Sequence, residues 1–239
     1  MDYIPDIDRL NGALISLHSS QAGVLRTDAQ RDVYLQISEF IKRLMDILMA
    51  LLLGLTLLPF LLLIALFVYL DSPGPILYSQ QRMGKDGRKI LIYKFRSMQV
   101  NADHILAEHL QTCPFARIEW ETTQKLRSDP RITRVGRWIR EFSLDELPQL
   151  INILKGDMSL VGPRPILNEQ MGLYGDRIEC YFRMRPGLTG LWQVSGRNHT
   201  TFRQRTLYDE YYIGNWSIWL DLKILIRTIW VVLSRDGAY

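Results

Sequence analysis

The sequence predicts an α+β protein, mostly helical: a re-entrant membrane helix hairpin plus a small cytosolic domain with a short β-hairpin and interfacial amphipathic helices. Three observations lead there. The apolar run Ile47–Leu70, bracketed by Asp46 and Asp71, holds 24 consecutive uncharged residues. Residues 76–98 read as two extended segments around Gly84-Lys85-Asp86-Gly87, a hairpin-type turn. Ser143–Leu154 and Ile218–Leu233 read as helices, the second too short and too charged to span a bilayer.

In chain order, residues 1–40 read as a variable, weakly ordered leader, because Gly12, Ser19, Ser20 and Gly23 interrupt any period. It is no signal peptide, since the apolar run begins too late and is too long. Residues 41–239 then form one domain. A straight helix over the run would be roughly 36 Å long, enough for a bilayer core of about 30 Å. Pro59 lies at its middle, where it removes a backbone hydrogen bond and bends the helix. Lys42 and Arg43 precede the run, and Arg82, Lys85, Arg88 and Lys89 follow it. Basic flanks belong on the cytoplasmic side. A helix that bends at Pro59 and returns satisfies both flanks; a plain span satisfies one.

The run ends in the turn Asp71-Ser72-Pro73-Gly74-Pro75. Beyond the hairpin, a helix is expected near 102–110, loop over 112–130, and Gly- and Pro-rich functional loops over 155–200. The 218–233 helix is expected in the membrane interface, with Trp216, Trp219 and Trp230 near headgroup level.

Composition narrows the function. With 239 residues there is room for one medium domain and a membrane element. The net charge of +4 favours partners bearing phosphate, and the dense apolar block favours membrane lipid over nucleic acid. Cys113 and Cys180 stand alone without zinc spacing, and the four histidines form no triad or metal set.

The chemistry concentrates in Ser143-Leu144-Asp145-Glu146-Leu147-Pro148-Gln149. Ser143 and Glu146 have capping-box spacing, which puts both carboxylates in the first turn of a helix. That end favours a carboxylate, a phosphate, or both through a metal. Arg131, Arg134, Arg137 and Arg140 recur every three residues just upstream and could neutralise a pyrophosphate. Downstream, Pro163 and Pro165 restrict the backbone around Arg164. The segments Arg185–Gly190 and Trp192–Arg197 pair arginine with glycine, which suits close phosphate approach, though neither is a known nucleotide-loop motif.

Taken in order, Tyr93–Met98, Ser143–Gln149, Lys155–Pro165, Arg185–Gly190 and Trp192–Arg197 resemble the bacterial sugar transferases that act on polyprenyl phosphate, the monotopic phosphoglycosyl transferases. The resemblance runs from about Lys42 to the C-terminus, and the chain looks like the compact form with the catalytic part alone. It implies transfer of a sugar-1-phosphate, galactose or glucose by overall likeness, from a UDP-sugar to undecaprenyl phosphate, with release of UMP. That is the first step of exopolysaccharide, capsule or O-antigen repeat-unit assembly, at the cytoplasmic face of the bacterial inner membrane, with downstream glycosyltransferases as further partners. By resemblance Asp145 is the nucleophile and a ligand of Mg²⁺, and Glu146 is its catalytic partner. Lys94, Arg96, Arg140, Pro163, Arg164 and Pro165 contact substrate by the same reasoning, with Arg197 and Asp209 as weaker correspondences. Some relatives carry Ser-Pro at the membrane bend, where this chain has Leu58-Pro59. A glycosyltransferase releasing UDP, and a non-catalytic membrane scaffold that binds nucleotide-sugar, are the competing expectations.

Overall fold

The computed structural model describes residues 28–123, 125–196 and 200–234. Residues 1–27 of the predicted leader therefore fall outside the described residues, as do Arg197 and His199, while 28–40 lie in the first helix. What is described is mostly helical, with two small two-stranded sheets.

The apolar run lies in one helix, α1 (Asp28–Asp71), which continues through Pro59. The 18-residue window of highest hydropathy averages 2.9, and 11% of that window is buried. A helix of such composition in a soluble core would be mostly buried, so this one is apolar on surfaces the protein itself leaves uncovered. It is the one helix among the described residues long and apolar enough to cross a membrane. Three residues before Pro59, the Thr56 hydroxyl donates back to the carbonyls of Leu52 and Leu53, at 2.8 and 3.2 Å. Such back-bonding bends helices, as proline does.

The hairpin is present as β1 (Leu77–Met83) and β2 (Lys89–Phe95). Asp86 and Gly87 turn the chain with φ of 58° and 69°. The expected helix near 102–110 is α2 (Ala102–Thr112). The loop expected over 112–130 is instead partly helical, α3 (Pro114–Thr123). Its first residue is proline, which helices accept there because that N–H has no intrahelical partner. The polar composition that suggested loop is the composition of an exposed helix. Next come α4 (Arg134–Glu141), a 3₁₀ turn (Leu144–Glu146) and α5 (Gln149–Lys155).

The segment 155–200 is more regular than its glycines and prolines suggest. Strand β3 (Ser159–Val161) pairs in parallel with β4 (Gly187–Thr189). Between them lie a 3₁₀ stretch (Asn168–Arg177) and α6 (Ile178–Tyr181), and α7 (Leu191–Ser195) follows. The glycines here serve backbone packing. A Cβ on Gly187 would sit 2.1 Å from the nitrogen of Gly162, and one on Gly190 would sit 2.1 Å from the Gly162 oxygen. Two helices close the fold, α8 (Phe202–Gly214) and α9 (Ile218–Ser234).

The described residues form two compact units. The first takes its described residues from the stretch up to Thr56, from Gln80–Ile92 and from Gln149 onward, the second from Leu57–Ser79 and between Tyr93 and Pro148. Each has its own core. In the first, Ala50, Ile153, Met158, Leu160, Tyr212 and Ile224 pack together. In the second, Ile64 and Val68 of α1 pack on Phe95 and Ile139. Along α9, Trp219, Ile226, Ile229, Trp230 and Leu233 are exposed, while Asp221 and Ile224 are buried. Trp216 departs from the headgroup expectation: its Nε1 donates to Asp221 at 3.0 Å, and its ring packs against the first core.

Candidate functional site

The acidic pair belongs to the second unit, where α4 sets it in place. Thr133 caps α4, its hydroxyl accepting from the Gly136 N–H at 2.9 Å. Asp71 accepts from the Val135 N–H at 2.8 Å. Gly136 packs on β2's continuation so closely that a Cβ there would lie 2.0 Å from the Ser97 carbonyl oxygen. This contact brings Ser97 to Arg140, whose Nε donates to the Ser97 hydroxyl at 2.8 Å.

The chain then turns at Ser143, in the left-handed region at φ 56° and ψ 23°. A non-glycine residue pays about 1 kcal/mol for that conformation. The capping box expected from Ser143 and Glu146 does not form, because Ser143 makes no side-chain cap and the turn is 3₁₀ rather than α. Left-handed backbone at Ser143 is incompatible with the extended geometry of a helix N-cap. The α-helix starts four residues past the acidic pair's first member, at Gln149. Asp145 and Glu146 therefore project from a short turn anchored by Leu144 in the second core.

Lys94 donates to Glu146 at 2.7 Å, both side chains largely buried. Burial holds the Arg140 guanidinium below its ordinary range; the charges of Asp145 and then Asp129 oppose that, and Arg131 adds to it. Lys94, Arg140, Asp145 and Glu146 thus come together. The rest of the arginine row does not join them. Arg131 is held bidentately by Asp129, at 2.8 and 2.7 Å, and its guanidinium lies 5.0 Å over the Trp120 ring. Arg134 and Arg137 are exposed. For Asp129, burial pushes the carboxyl up, but the hydrogen bonds and charge of Arg131 and the charge of Arg140 leave it below its usual range. Arg96 is buried and donates to the Ser72 carbonyl, clamping the turn that follows α1. Its Nε and Nη1 have no hydrogen-bond partner among the described residues.

The remaining predicted residues lie in the first unit. Pro163 and Pro165 are buried, and Arg164 is half-buried between them. The Arg164 carbonyl accepts from Arg205 Nη2 at 2.8 Å. Both guanidiniums stand over Trp192, Arg205 at 4.9 Å and Arg164 at 5.9 Å from the ring centre. Asp209 is 2% exposed; it accepts from the Tyr174 hydroxyl at 2.6 Å and lies 3.8 Å from Arg205 Nε. Direct substrate contact, expected for Asp209, does not fit that burial, and the carboxylate instead braces Arg205. Burial pushes its pKa up to about 6, against the pull of Arg205 and Tyr174.

Among the described residues, no three His, Cys, Asp or Glu side chains gather as a metal site. A metal at this turn would take Asp145 and complete its shell with water and substrate oxygens, which suits Mg²⁺.

Residues 37–235 match the model of the bacterial sugar transferase family. The chain belongs to the bacterial sugar transferase family. It is 50% identical over 202 residues to the UDP-galactose-lipid carrier transferase of Erwinia amylovora, covering 84% of this chain and 42% of that protein. It is 49% identical over 202 residues, with the same coverage, to the undecaprenyl-phosphate galactose phosphotransferase of Salmonella typhimurium. The chain thus spans less than half the length of these two sugar transferases. Against the exopolysaccharide production protein ExoY of Sinorhizobium fredii it is 46% identical over 198 residues, covering 83% of this chain and 88% of that protein.

Several site residues escaped the sequence reading. Ser97 and Trp192 stood inside quoted motifs without a role. Arg205 was missed although it stands four residues before the predicted Asp209 on one helix face, a legible signal of a pair. Tyr174 gave no local signal, because its partner lies 35 residues away.

Proposed function

We propose that this chain transfers a hexose-1-phosphate, from UDP-galactose or UDP-glucose, to undecaprenyl phosphate, with release of UMP. The product, undecaprenyl-diphospho-sugar, opens the assembly of an exopolysaccharide, capsule or O-antigen repeat unit. One observation carries the chemistry: Asp145 stands on a short turn beside the half-buried Arg140, next to a Lys94–Glu146 ion pair, in a sugar transferase. The names of the similar transferases supply the donor and acceptor classes.

In the first half-reaction an Asp145 carboxylate oxygen attacks the sugar-bearing phosphorus of the donor. The bond from that phosphorus to the bridging oxygen breaks, and its electron pair leaves on UMP. The aspartyl-phosphosugar is then attacked at the same phosphorus by an oxygen of undecaprenyl phosphate, which returns the carboxylate. Splitting one transfer between anions into two steps is the advantage of covalent catalysis. Arg140 offsets the charge that gathers on the transferring group, and Lys94 keeps Glu146 from adding a free negative charge beside the nucleophile. Mg²⁺, held by Asp145, would supply further neutralisation of the phosphate oxygens. Arg164, flanked by prolines and standing over Trp192, is by resemblance a contact for donor phosphate.

The same reading places α1 as a re-entrant helix on the cytoplasmic face of the inner membrane, bent at Pro59. Its support is connectivity. Lys42, before the apolar run, is paired with Asp221 at 2.6 Å. Between Ser72 and Asp221 no described helix is long and apolar enough to cross a membrane. The Lys42–Asp221 contact supports a run that ends on the side where it began.

The test is incubation with a panel of UDP-sugars and undecaprenyl phosphate. UMP is the expected product, and UDP as sole product would overturn the reading. Asp145→Asn is expected to abolish turnover, and the wild type incubated with donor alone to gain the mass of a phosphosugar.

A further inference from the structure

Lys42 and Asp46 lie one helical turn apart on α1, and both reach β3. Lys42 Nζ donates to the Val161 carbonyl at 3.0 Å and to Asp221 at 2.6 Å. Asp46 Oδ1 accepts from the Leu160 N–H at 2.9 Å and from the Ser159 hydroxyl at 3.1 Å. The Tyr212 hydroxyl lies 3.1 Å from the Val161 carbonyl oxygen and 2.7 Å from Asp221. Asp46 is 4% exposed, and the Lys42 and Asp221 side chains are 11% and 8% exposed.

A buried ion pair is a poor device for stability alone, because apolar residues of similar volume often serve as well. What Lys42 and Asp46 offer is direction. Their bonds end on the backbone of Val161 and Leu160, the two residues before Gly162-Pro163-Arg164-Pro165. The Gly162 N–H donates to the Thr189 carbonyl at 2.9 Å, and the Pro163 carbonyl accepts from the Gly187 N–H at 2.8 Å, so this stretch is held on both sides. Pro163 and Pro165 add little freedom. The grip on Leu160 and Val161 is therefore passed to Arg164.

We propose that Lys42 and Asp46 are positioning residues for the nucleotide-sugar donor, setting the register of Pro163-Arg164-Pro165 from the start of the membrane helix. The proposal rests on the reading of Arg164 as a donor-phosphate contact. The grip gives the apolar helix a share in donor binding besides its hold on the bilayer.

The test uses the full chain in lipid nanodiscs. Lys42→Met alone would strand Asp221 as a buried charge, so Lys42→Met is combined with Asp221→Asn. Asp46→Leu is compared with Asp46→Asn; both are neutral, and the asparagine still accepts from the Leu160 N–H. The double variant and Asp46→Leu are expected to raise the donor KM about tenfold, the scale of one lost charged hydrogen bond. The KM for undecaprenyl phosphate stays within about twofold, and Asp46→Asn restores most of the donor affinity. Amide exchange over 160–166 accelerates in the same two variants. An unchanged donor KM in a folded variant, or donor and acceptor KM rising together, overturns the proposal. If Asp46→Leu does not fold, the double variant decides. Exchange unchanged over 160–166 sinks the positioning idea by itself. A wild type that releases no UMP from any UDP-sugar sinks the functional reading, whatever the exchange rates.

Discussion

Arg140 and Asp209 are two charged residues under opposite constraints. Arg140 is half-buried, bonded to Ser97 and placed against the charge of Asp145. Lysine keeps the charge but loses the planar fork that reaches Ser97 and the acidic side together. Arg140→Lys is expected to lower kcat/KM for UMP release about 10- to 100-fold with the melting temperature little changed. Equal kcat/KM in the two proteins would remove Arg140 from the chemistry. For Asp209 the argument is one of linkage. Its folded pKa, about 6, lies above its ordinary 3.8, so between those values the folded state holds a proton that the unfolded state has released. Its contribution to stability is fully present below about pH 4 and is lost as pH rises through 6. Urea unfolding across pH 4 to 7 should show this fall in the wild type, and Asp209→Asn should lack it.

At the scale of elements, the active turn depends on a contact made elsewhere. Gly136 lets α4 approach Ser97, and α4 carries Arg140 and leads into Ser143 and Asp145. Gly136→Ala forces backbone against backbone, since the 2.0 Å separation leaves no flexible side chain to move. It should destabilise the protein by about 3 kcal/mol or more and remove UMP release with it. Thermal unfolding checks this, and an alanine variant of normal stability and activity would contradict it. The elements also show what a sequence can reveal. The apolar run, the hairpin at 84–87 and the helix over 218–233 were legible, because each rests on local hydrophobicity or turn chemistry. The Ser143–Glu146 turn was misread as a capped α-helix because the spacing of a motif says nothing about φ. The helix over 114–123 was missed because polar surface helices and loops share a composition. Of the site, Asp145 and its neighbours stood out as a motif. The partnership of Arg205 with Trp192, and of Glu146 with Lys94, depends on long-range folding that no local pattern encodes.

At the scale of the whole molecule, the proposed re-entrant topology turns on the two ends of the apolar run. The basic residues that first suggested it turn out to have structural partners: Arg43 donates to the carbonyls of Ile153 and Leu154, and Lys42 is buried with Asp221. They are therefore weaker markers of orientation than exposed lysines would be. The stronger argument is that Lys42 and Asp221 meet although one membrane-length helix separates them in sequence. Cysteines introduced at Lys85 and at Phe40, which is 69% exposed, should both react with an impermeant maleimide from the same side of sealed vesicles. Reaction from opposite sides would establish a full span.

The Lys42–Asp221 pair also bears on engineering a water-soluble form of this protein. Deleting α1 would bare Val161 and leave Asp221 facing an apolar core without its counter-charge, so trimming the anchor should yield aggregate. The better route keeps the helix and repaints it. Leu52, Leu55, Leu62 and Leu70 are each more than 60% exposed, and glutamate or lysine at those positions would replace the lipid-facing surface while leaving Lys42 and Asp46 in their grip on β3.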